Sequence, residues 1–312
     1  MTSGSVTLQT IADALGVSRT TVSNAYNRPD QLAPELRERI LATAAKLGYA
    51  GPDPAARRLR SGRIDSVGLL LAGGVAQAFE DPAAALLLRG VARAVEADGL
   101  GLLLVPERLD GVRDAVIGAL AVCSLPAAHP AVQAALERRL PLVLVDEPRL
   151  PGHAYVGIDA RSGARRAARH LLGLGHRRFA VLGEPDVHRE RLAGYAEALD
   201  AAAVEWSRNE LPAVLAAEPR PTALLAATDA LALRALDGAR AAGLGVPEDL
   251  SVVGFDDVPD AASSLPPLTT IRQPLIEKGE IVGRLLTSGP TEHAAILPVE
   301  LVVRGSTAPP PA

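Results

Sequence analysis

Four polar side chains between residues 19 and 24 have the chemistry needed to recognise the edges of DNA bases. Arg19 can donate two parallel hydrogen bonds to guanine O6 and N7, and Asn24 can pair with adenine N6 and N7. Thr20 and Ser23 place short hydroxyls beside them. Residues three and four apart are neighbours on a helix, so these four side chains would share one outward face. The spacing predicts a helix suited to the DNA major groove.

The surrounding segment predicts two short helices joined by a turn. Thr7 can cap the first helix, and Gly16 can adopt the left-handed backbone that ends it. Ser18 can cap the second helix, and a third is predicted from Pro34 to Leu47. The inward apolar positions of the first two helices are Leu8, Ile11, Ala12, Leu15, Val22 and Ala25. The alternative is an ordinary three-helix bundle whose polar face is only solvated.

The order of residues in this segment closely resembles a known family. The matching motif is Val6-Thr-Leu, Ile11-Ala, Leu15-Gly-Val-Ser-x-Thr-Thr-Val-Ser, Leu36-Arg-x-Arg-Ile and Leu47-Gly-Tyr49. It resembles the LacI/GalR family of repressors, and the resemblance covers nearly the whole chain. It implies base reading by Arg19, Thr20 and Asn24, although many members carry Arg where this chain has Asn24. The predicted DNA-binding residues of this end are Thr7, Ser18, Arg19, Thr20, Thr21, Ser23, Asn24 and Asn27.

A basic run over residues 51–63 is similar to the hinge of that family. Glycines and prolines within it make a short helix unstable alone. In the family, the segment is disordered until two copies pair in the minor groove, where a leucine wedges into a base step and bends the duplex. The resemblance assigns that wedge to Leu59, and we predict Ala56 and Arg57 as neighbouring contacts. A simple basic linker is the alternative.

Charge divides the chain into a basic end and an acidic body. Residues 1–63 carry nine Lys or Arg against five Asp or Glu, a net charge of +4, within a total of −4 for the chain. This asymmetry indicates a polyanionic partner at that end only. The single cysteine, Cys123, excludes an internal disulfide framework. The first residues lack the charged and apolar regions of a secretory signal, and we expect a soluble, cytoplasmic protein.

Alternating strand and helix patterns follow from residue 65 and predict a parallel α/β fold. The expected strands are Val67–Ala72, Leu100–Val105, Leu120–Leu125, Leu142–Val145, Phe179–Leu182, Ala223–Ala226 and Ser251–Phe255. The expected helices include Ala83–Ala97, Ala160–Leu174 and Asp229–Ala242. Two such halves, meeting near Asp159 with late crossovers around Thr269–Leu275, look like the two-lobed periplasmic-binding-protein fold that LacI relatives share. The predicted domains are 1–50 for DNA binding, 51–63 for the hinge, 64–305 for effector binding and dimerisation, and 306–312 for a disordered tail.

Five residues are candidates for binding an effector between the two lobes, because ligands of such sheets lie beyond the carboxyl ends of the strands. Arg191 matches the effector-binding arginine of the family, and Asp229 and Asp256 each follow a buried strand. A guanidinium facing carboxylates suits the vicinal hydroxyls of a sugar. Asp146 and Phe79 are further candidates. Each aspartate has an alternative role as a helix N-cap.

Two segments are short for the family. One is 182–191, and the other is 203–221, where a strand and part of a helix are normally expected. Their shortness predicts a trimmed second lobe and leaves open a regulator with a degenerate pocket that no longer senses a small molecule.

The sequence argues against an enzyme. The chain has no phosphate-binding loop, no complete dinucleotide fingerprint, no nucleophile elbow and no histidines at metal-ligand spacing. We predict no cofactor and no metal. The favoured function is a homodimeric repressor that binds a pseudo-palindromic operator and responds to a small-molecule effector, such as a sugar or a nucleoside-like compound.

Overall fold

The computed structural model describes residues 6–51, 65–289 and 293–311. The chain divides into two compact units, Met1–Ile64 and Asp65–Ala312. The predicted hinge residues Ala56, Arg57 and Leu59 lie outside the described residues. Within the described part of the chain, no helix is both long enough and apolar enough to cross a membrane.

In its described residues, 6–51, the first unit contains the α-helices α1 (Leu8–Leu15), α2 (Arg19–Asn27) and α3 (Pro34–Lys46). The Thr7 side chain accepts a hydrogen bond from the Thr10 N–H at the start of α1, and Gly16 ends that helix with a φ of 67°. Ser18 Oγ accepts from the Thr21 N–H at 3.0 Å at the start of α2. The expected caps and turn are therefore present, and they hold α1 and α2 at a fixed angle over a small core of Leu8, Ile11, Ala12, Val22, Ala25, Ile40 and Ala44.

The second unit contains two lobes, and the first lobe is a parallel sheet covered by helices on both faces. Its strands are β1 (Ser66–Leu71), β2 (Gly101–Leu104), β3 (Leu120–Cys123), β4 (Leu142–Val145), β5 (Ala154–Ile158) and β11 (Ala294–Leu297), in the order β11-β5-β4-β3-β1-β2. Its helices are α4 (Gly74–Glu80), α5 (Pro82–Ala97), α6 (Leu109–Asp114), α7 (Pro130–Glu137) and α13 (Leu275–Ser288). The central strands are continuous apolar runs because both faces of a parallel sheet are buried.

The second lobe repeats this plan. Its strands are β6 (Arg178–Leu182), β7 (Glu205–Arg208), β8 (Ala223–Ala226), β9 (Ser251–Asp256), β10 (Thr269–Arg272) and β12 (Glu300–Val302), in the order β12-β10-β9-β8-β6-β7. All neighbours are parallel except β12, which runs antiparallel to β10. Its helices are α8 (Ala160–Gly173), α9 (Arg189–Ala201), α10 (Leu211–Ala216), α11 (Asp229–Ala241) and α12 (Pro259–Ser263).

The chain passes between the two lobes three times, after β5, after β10 and after β11. The first two crossings lie where the sequence predicts them, near Asp159 and around Thr269–Leu275. Asp159 begins the second lobe by accepting the Ser162 N–H at 3.2 Å as the cap of α8. The predicted class of two parallel α/β lobes is confirmed.

The predicted loss at 203–221 is wrong. This segment forms both an edge strand, β7, and the short helix α10. The strand is retained because Trp206 pairs in register with Phe179 and packs on the lobe core, while its indole N–H donates to Asp200 at 2.8 Å.

The prediction of a disordered tail at 306–312 is also wrong for the residues described. Ser306 is fully buried; its hydroxyl donates to the Val252 carbonyl at 2.6 Å and accepts the Thr269 N–H at 2.8 Å. Two residues later, the Ala308 N–H donates to Ser251 Oγ at 3.0 Å. These bonds fasten the end of the chain to the second lobe because they satisfy polar groups at the starts of β9 and β10.

Candidate functional site

The helix α2 carries the predicted base-reading face. Val22 and Ala25 are buried against the unit core, whereas Arg19 and Thr20 are exposed and Ser23 and Asn24 are half-buried. The structure therefore places the four predicted base-reading residues of α2 away from the core.

Other members of the predicted DNA-binding set hold the ends of the helices. The hydroxyls of Ser18 and Thr21 lie 2.8 Å apart at the start of α2. Asn27 Nδ2 donates to the Ser23 carbonyl and hydroxyl, both at 3.1 Å. Thr7 caps α1, and the bonds of Ser18, Thr21 and Asn27 hold the two ends of α2, the helix that carries the predicted base-reading residues.

A cavity of about 490 Å³ lies between the lobes of the second unit. Its wall is formed at the carboxyl ends of the strands, including Leu71 at the end of β1, Ser124 after β3 and Asp256 at the end of β9. Three of the five predicted effector-binding residues line it, namely Asp146, Arg191 and Asp256. The short segment 182–191 contributes several wall residues, so its shortness does not remove that side of the cavity.

Arg191 and Asp256 form a buried ion pair in the cavity wall. Arg191 Nη1 lies 3.0 Å from Asp256 Oδ1, and the guanidinium carbon lies 4.0 Å from the centre of the Phe255 ring. Arg191 also donates to the Ala227 carbonyl. Burial raises the pKa of Asp256, while the nearby charge of Arg191 and the hydrogen bond from Gln273 act in the opposite direction. The pair therefore presents a fixed donor and acceptor toward the cleft.

A chain of hydrogen bonds continues from this pair to the first lobe. Gln273 Nε2 donates to Asp256 Oδ1 at 2.6 Å. Lys278 Nζ donates to Gln273 Oε1 at 2.8 Å and to Asp146 Oδ2 at 2.7 Å. Both Gln273 and Lys278 line the cavity, on the crossing from β10 into α13. One polar path thus joins Arg191 in the second lobe to Asp146 in the first.

Sequence reasoning missed Gln273 and Lys278. The available signal was the position of Lys278 on α13, where it shares the buried stripe of Leu275, Val282 and Leu286. A lysine at a core position of an apolar helix needs a buried partner. Asp146 is that partner, but it lies far away in the sequence.

Asp146 follows β4 in a left-handed backbone conformation, with a φ of 58°. Its carbonyl accepts the Tyr155 hydroxyl at 2.9 Å. Its Oδ2 is bound by Lys278, whereas its Oδ1 is buried with no hydrogen-bond partner among the residues described. A buried carboxylate oxygen is rarely left unsatisfied, so Oδ1 is suited to accept a bond from a ligand.

Asp229 and Phe79 do not line the cavity, contrary to prediction. Asp229 is fully buried at the start of α11, where it accepts the Val258 N–H at 2.9 Å and the Thr270 hydroxyl at 2.5 Å. Burial raises the pKa of Asp229 to about 7, and the charge of Asp256 adds to the effect. The preceding residue, Thr228, caps the helix and lines the cavity instead. Phe79 lies near the end of α4 and is 66% exposed.

Comparison with known proteins decides the family. Residues 7–51 match the family described as bacterial regulatory proteins, lacI family, and residues 168–307 match the periplasmic binding protein-like domain. The HTH-type transcriptional regulator Rv3575c of Mycobacterium tuberculosis is 43% identical, over 98% of this chain and 98% of its own length. The chain belongs to the LacI family. Membership confirms a DNA-binding transcriptional regulator, rather than an enzyme, as the sequence predicts.

Two solved structures are similar to this LacI-family chain over nearly its full length. A complex of the transcriptional regulator CelR with cellobiose is 31% identical, with a TM-score of 0.69, over 96% of this chain and 99% of CelR. The lac repressor dimer bound to operator and the anti-inducer ONPF is 26% identical, with a TM-score of 0.80, over 98% of this chain and 100% of the repressor chain.

Proposed function

We propose that this LacI-family regulator is a dimeric repressor that binds a pseudo-palindromic operator and releases or engages it in response to a sugar bound between its lobes. The observation that carries the proposal is the cavity wall, where Arg191 paired to Asp256 is joined by hydrogen bonds to Asp146 of the opposite lobe. Such a wall offers donors and acceptors from both lobes to the hydroxyls of one ligand.

Two relatives support the two parts of this proposal, the sugar effector and the dimer on an operator. CelR is similar over nearly the whole chain and was solved as a complex with cellobiose. The lac repressor was solved as a dimer on its operator. A dimer presents its reading helices with two-fold symmetry, so an operator with matching half-sites follows. A DNA partner supports a site of action in the cytoplasm.

Coupling between sugar binding and operator binding has a physical basis in the two-lobed unit. A ligand that contacts both lobes favours the angle between them at which all contacts are made. In a dimer, that angle sets the separation of the two hinge segments, in which the family resemblance assigns Leu59 to the minor groove. A change of angle therefore alters operator affinity. The cavity and its polar wall support this function over a regulator with a degenerate pocket.

The test compares operator binding with and without sugar in cavity-wall variants. The operator is obtained by selection from random duplexes, and cellobiose heads a panel of sugars. We expect an active sugar to change the operator Kd of the wild type by about tenfold, a typical coupling. Arg191→Ala and Asp256→Ala should keep the operator Kd and lose the response.

Matched controls change the same residue types outside the cavity. Arg165 pairs with Glu197 at the surface of α8, and Asp237 is exposed on α11. Arg165→Ala and Asp237→Ala should respond like the wild type. If sugar-dependent operator release persists in both cavity variants, the cavity is not the effector site.

A further inference from the structure

Lys278 is unusual in this chain both as a lysine and as a buried cation. The sequence contains 30 arginines and only two lysines, Lys46 and Lys278. Lys46 is exposed at the end of α3, whereas Lys278 is 1% exposed and lines the cavity between the lobes. A buried cation is costly unless it is paired. The position therefore requires a compact ammonium group with a partner beside it, in a protein that otherwise places arginine at nearly every basic position.

The immediate surroundings of Lys278 offer an adjacent donor and acceptor. Its ammonium group has three N–H donors, and two of them are directed to Asp146 Oδ2 and Gln273 Oε1. The other oxygen of the same carboxylate, Asp146 Oδ1, is buried with no partner among the described residues. A hydroxyl group can donate to that oxygen and also accept from the ammonium group. A carboxylate or a fully ionised phosphate cannot donate, and it would face Asp146 with like charge.

The net charge of the cavity wall also favours an uncharged ligand over an anionic one. Among the described residues, six carboxylates line the cavity: Asp81, Asp146, Glu147, Glu184, Glu190 and Asp256. The cationic side chains in the wall are Arg189, Arg191 and Lys278. His188 adds no charge at neutral pH, because burial lowers its pKa to about 4. The excess of negative charge repels a ligand that carries its own negative groups.

We propose that Lys278 and Asp146 together form the contact that selects an uncharged, hydroxyl-rich effector, and that the cavity discriminates against the phosphorylated form of the same compound. This inference rests on the proposed sugar response and assigns its specificity to one pair of residues. Lys278 is then a specificity-determining residue, since its charge is cancelled by Asp146 and its remaining N–H serves a ligand hydroxyl.

The two-lysine composition gives a residue-resolved test in the full-length protein. Labelling with ¹⁵N-lysine produces two side-chain ammonium signals by NMR, and Lys46→Arg identifies the signal of Lys278 by elimination. The ligand panel consists of cellobiose, other uncharged mono- and disaccharides and polyols, with glucose and ribose tested beside glucose 6-phosphate and ribose 5-phosphate. We expect a binding sugar to shift the Lys278 signal and to leave the Lys46 signal unchanged.

Calorimetry on the same panel measures how strongly the cavity discriminates between an uncharged compound and its phosphate ester. We expect an uncharged compound to bind at least about tenfold more tightly than its phosphate ester, and Lys278→Met to lose at least about tenfold of that affinity. Lys46→Met is the control and should bind like the wild type. Because Lys278→Met leaves the Asp146 charge unpaired, the double variant Asp146→Asn/Lys278→Met provides a second test in which neither charge remains. It should lose affinity to at least the same extent.

The outcomes separate this inference from the proposed function. An uncharged sugar that binds and changes operator affinity, but leaves the Lys278 signal and the affinity of both variants unchanged, overturns the role of Lys278 while the sugar response survives. Tighter binding of a phosphate ester than of its parent compound overturns the selection for uncharged ligands. If no member of the panel binds, both the sugar response and the inference fail.

Discussion

Asn24 and Arg19 on α2 offer two different hydrogen-bonding patterns to bases. A good bidentate pair contributes about 1–3 kcal/mol of discrimination against the wrong base. We expect Asn24→Ala to weaken operator binding by about that amount and to relax preference at one base position in each half-site. Binding to duplexes with every single-base substitution measures the effect. Gln9→Ala, on the exposed side of α1 where Gln9 donates to Asp13, is the control. A uniform loss across all sequences would contradict base reading by Asn24.

We expect Asp229 to make the stability of the second lobe depend on pH. Its pKa is raised to about 7 in the folded protein, whereas the unfolded carboxyl titrates near its ordinary value of about 4. Between these values the folded state binds more protons, so the free energy of unfolding falls as pH rises from about 4 to about 7. Asp229→Asn should flatten this fall and be more stable than the wild type above pH 7, by roughly a few kcal/mol.

The single tryptophan, Trp206, lies in the same lobe and reports its unfolding by fluorescence. Denaturant titrations at several pH values therefore measure the Asp229 effect directly. Asp237→Asn is the matched control because Asp237 is exposed on the same helix, α11. An Asp229→Asn variant with the pH slope of the wild type would show that this carboxyl does not titrate as described.

A comparison of the predicted with the observed cavity residues shows which of them the sequence pattern can identify. The pattern places Asp256 and Asp146 at strand ends, and both line the cavity together with Arg191. It cannot tell which of two successive polar residues faces the cleft, and Thr228 rather than Asp229 does so. The partners Gln273 and Lys278 were missed because their role depends on a contact with Asp146, more than a hundred residues away in the chain.

At the scale of elements, the packing of α5 against α13 depends on glycines. A Cβ atom on Gly279 would overlap the Leu87 carbonyl oxygen and the backbone of Gly90. We expect Gly279→Ala to destabilise the first lobe by about 1–3 kcal/mol, because neither backbone can move without disturbing the core. Gly173→Ala is the matched control: it also lies in a helix, α8, but has nothing within 4 Å of an added Cβ.

Thermal unfolding of the two alanine variants compares these positions. Gly173→Ala should be neutral or more stable than the wild type by up to about 1 kcal/mol, since alanine restricts the unfolded chain. Equal stability of the two variants would contradict the close approach of the helices. The position of α13 also matters for the cleft, because Lys278 lies one residue before Gly279.

Most interior strands of the two sheets follow directly from the sequence, but the interior strands β5 and β10 were not predicted, whereas the edge strand β2 was. The strands β4 and β8 have the predicted bounds because each is a fully buried apolar run. The edge strands β11 and β12 have partly exposed residues and a weak pattern, and they were not predicted. The ordered tail was missed for a related reason: Ser306 is held by hydrogen bonds to distant strands, not by local propensity.

For the whole molecule, the three crossings and the polar chain between the lobes support the proposal that a ligand in the cleft acts on both lobes. A ligand shifts a conformational equilibrium only by its differential affinity for the two states. The proposed sugar must therefore contact both lobes to change the angle between them, and Arg191 or Asp256 in one lobe and Asp146 in the other are the contacts that we propose. A sugar held by one lobe alone would bind without a response.

Thermodynamic linkage measures directly whether a sugar in the cleft controls DNA binding. The affinity of the full-length protein for an active sugar is measured with and without saturating operator, and the operator affinity with and without saturating sugar. We expect the same factor in both directions, since coupling between two sites is reciprocal. We also expect Arg191→Ala to abolish the change in operator affinity while leaving that affinity itself intact. A sugar that binds the wild type without any change in operator affinity would contradict control of DNA binding by the cleft.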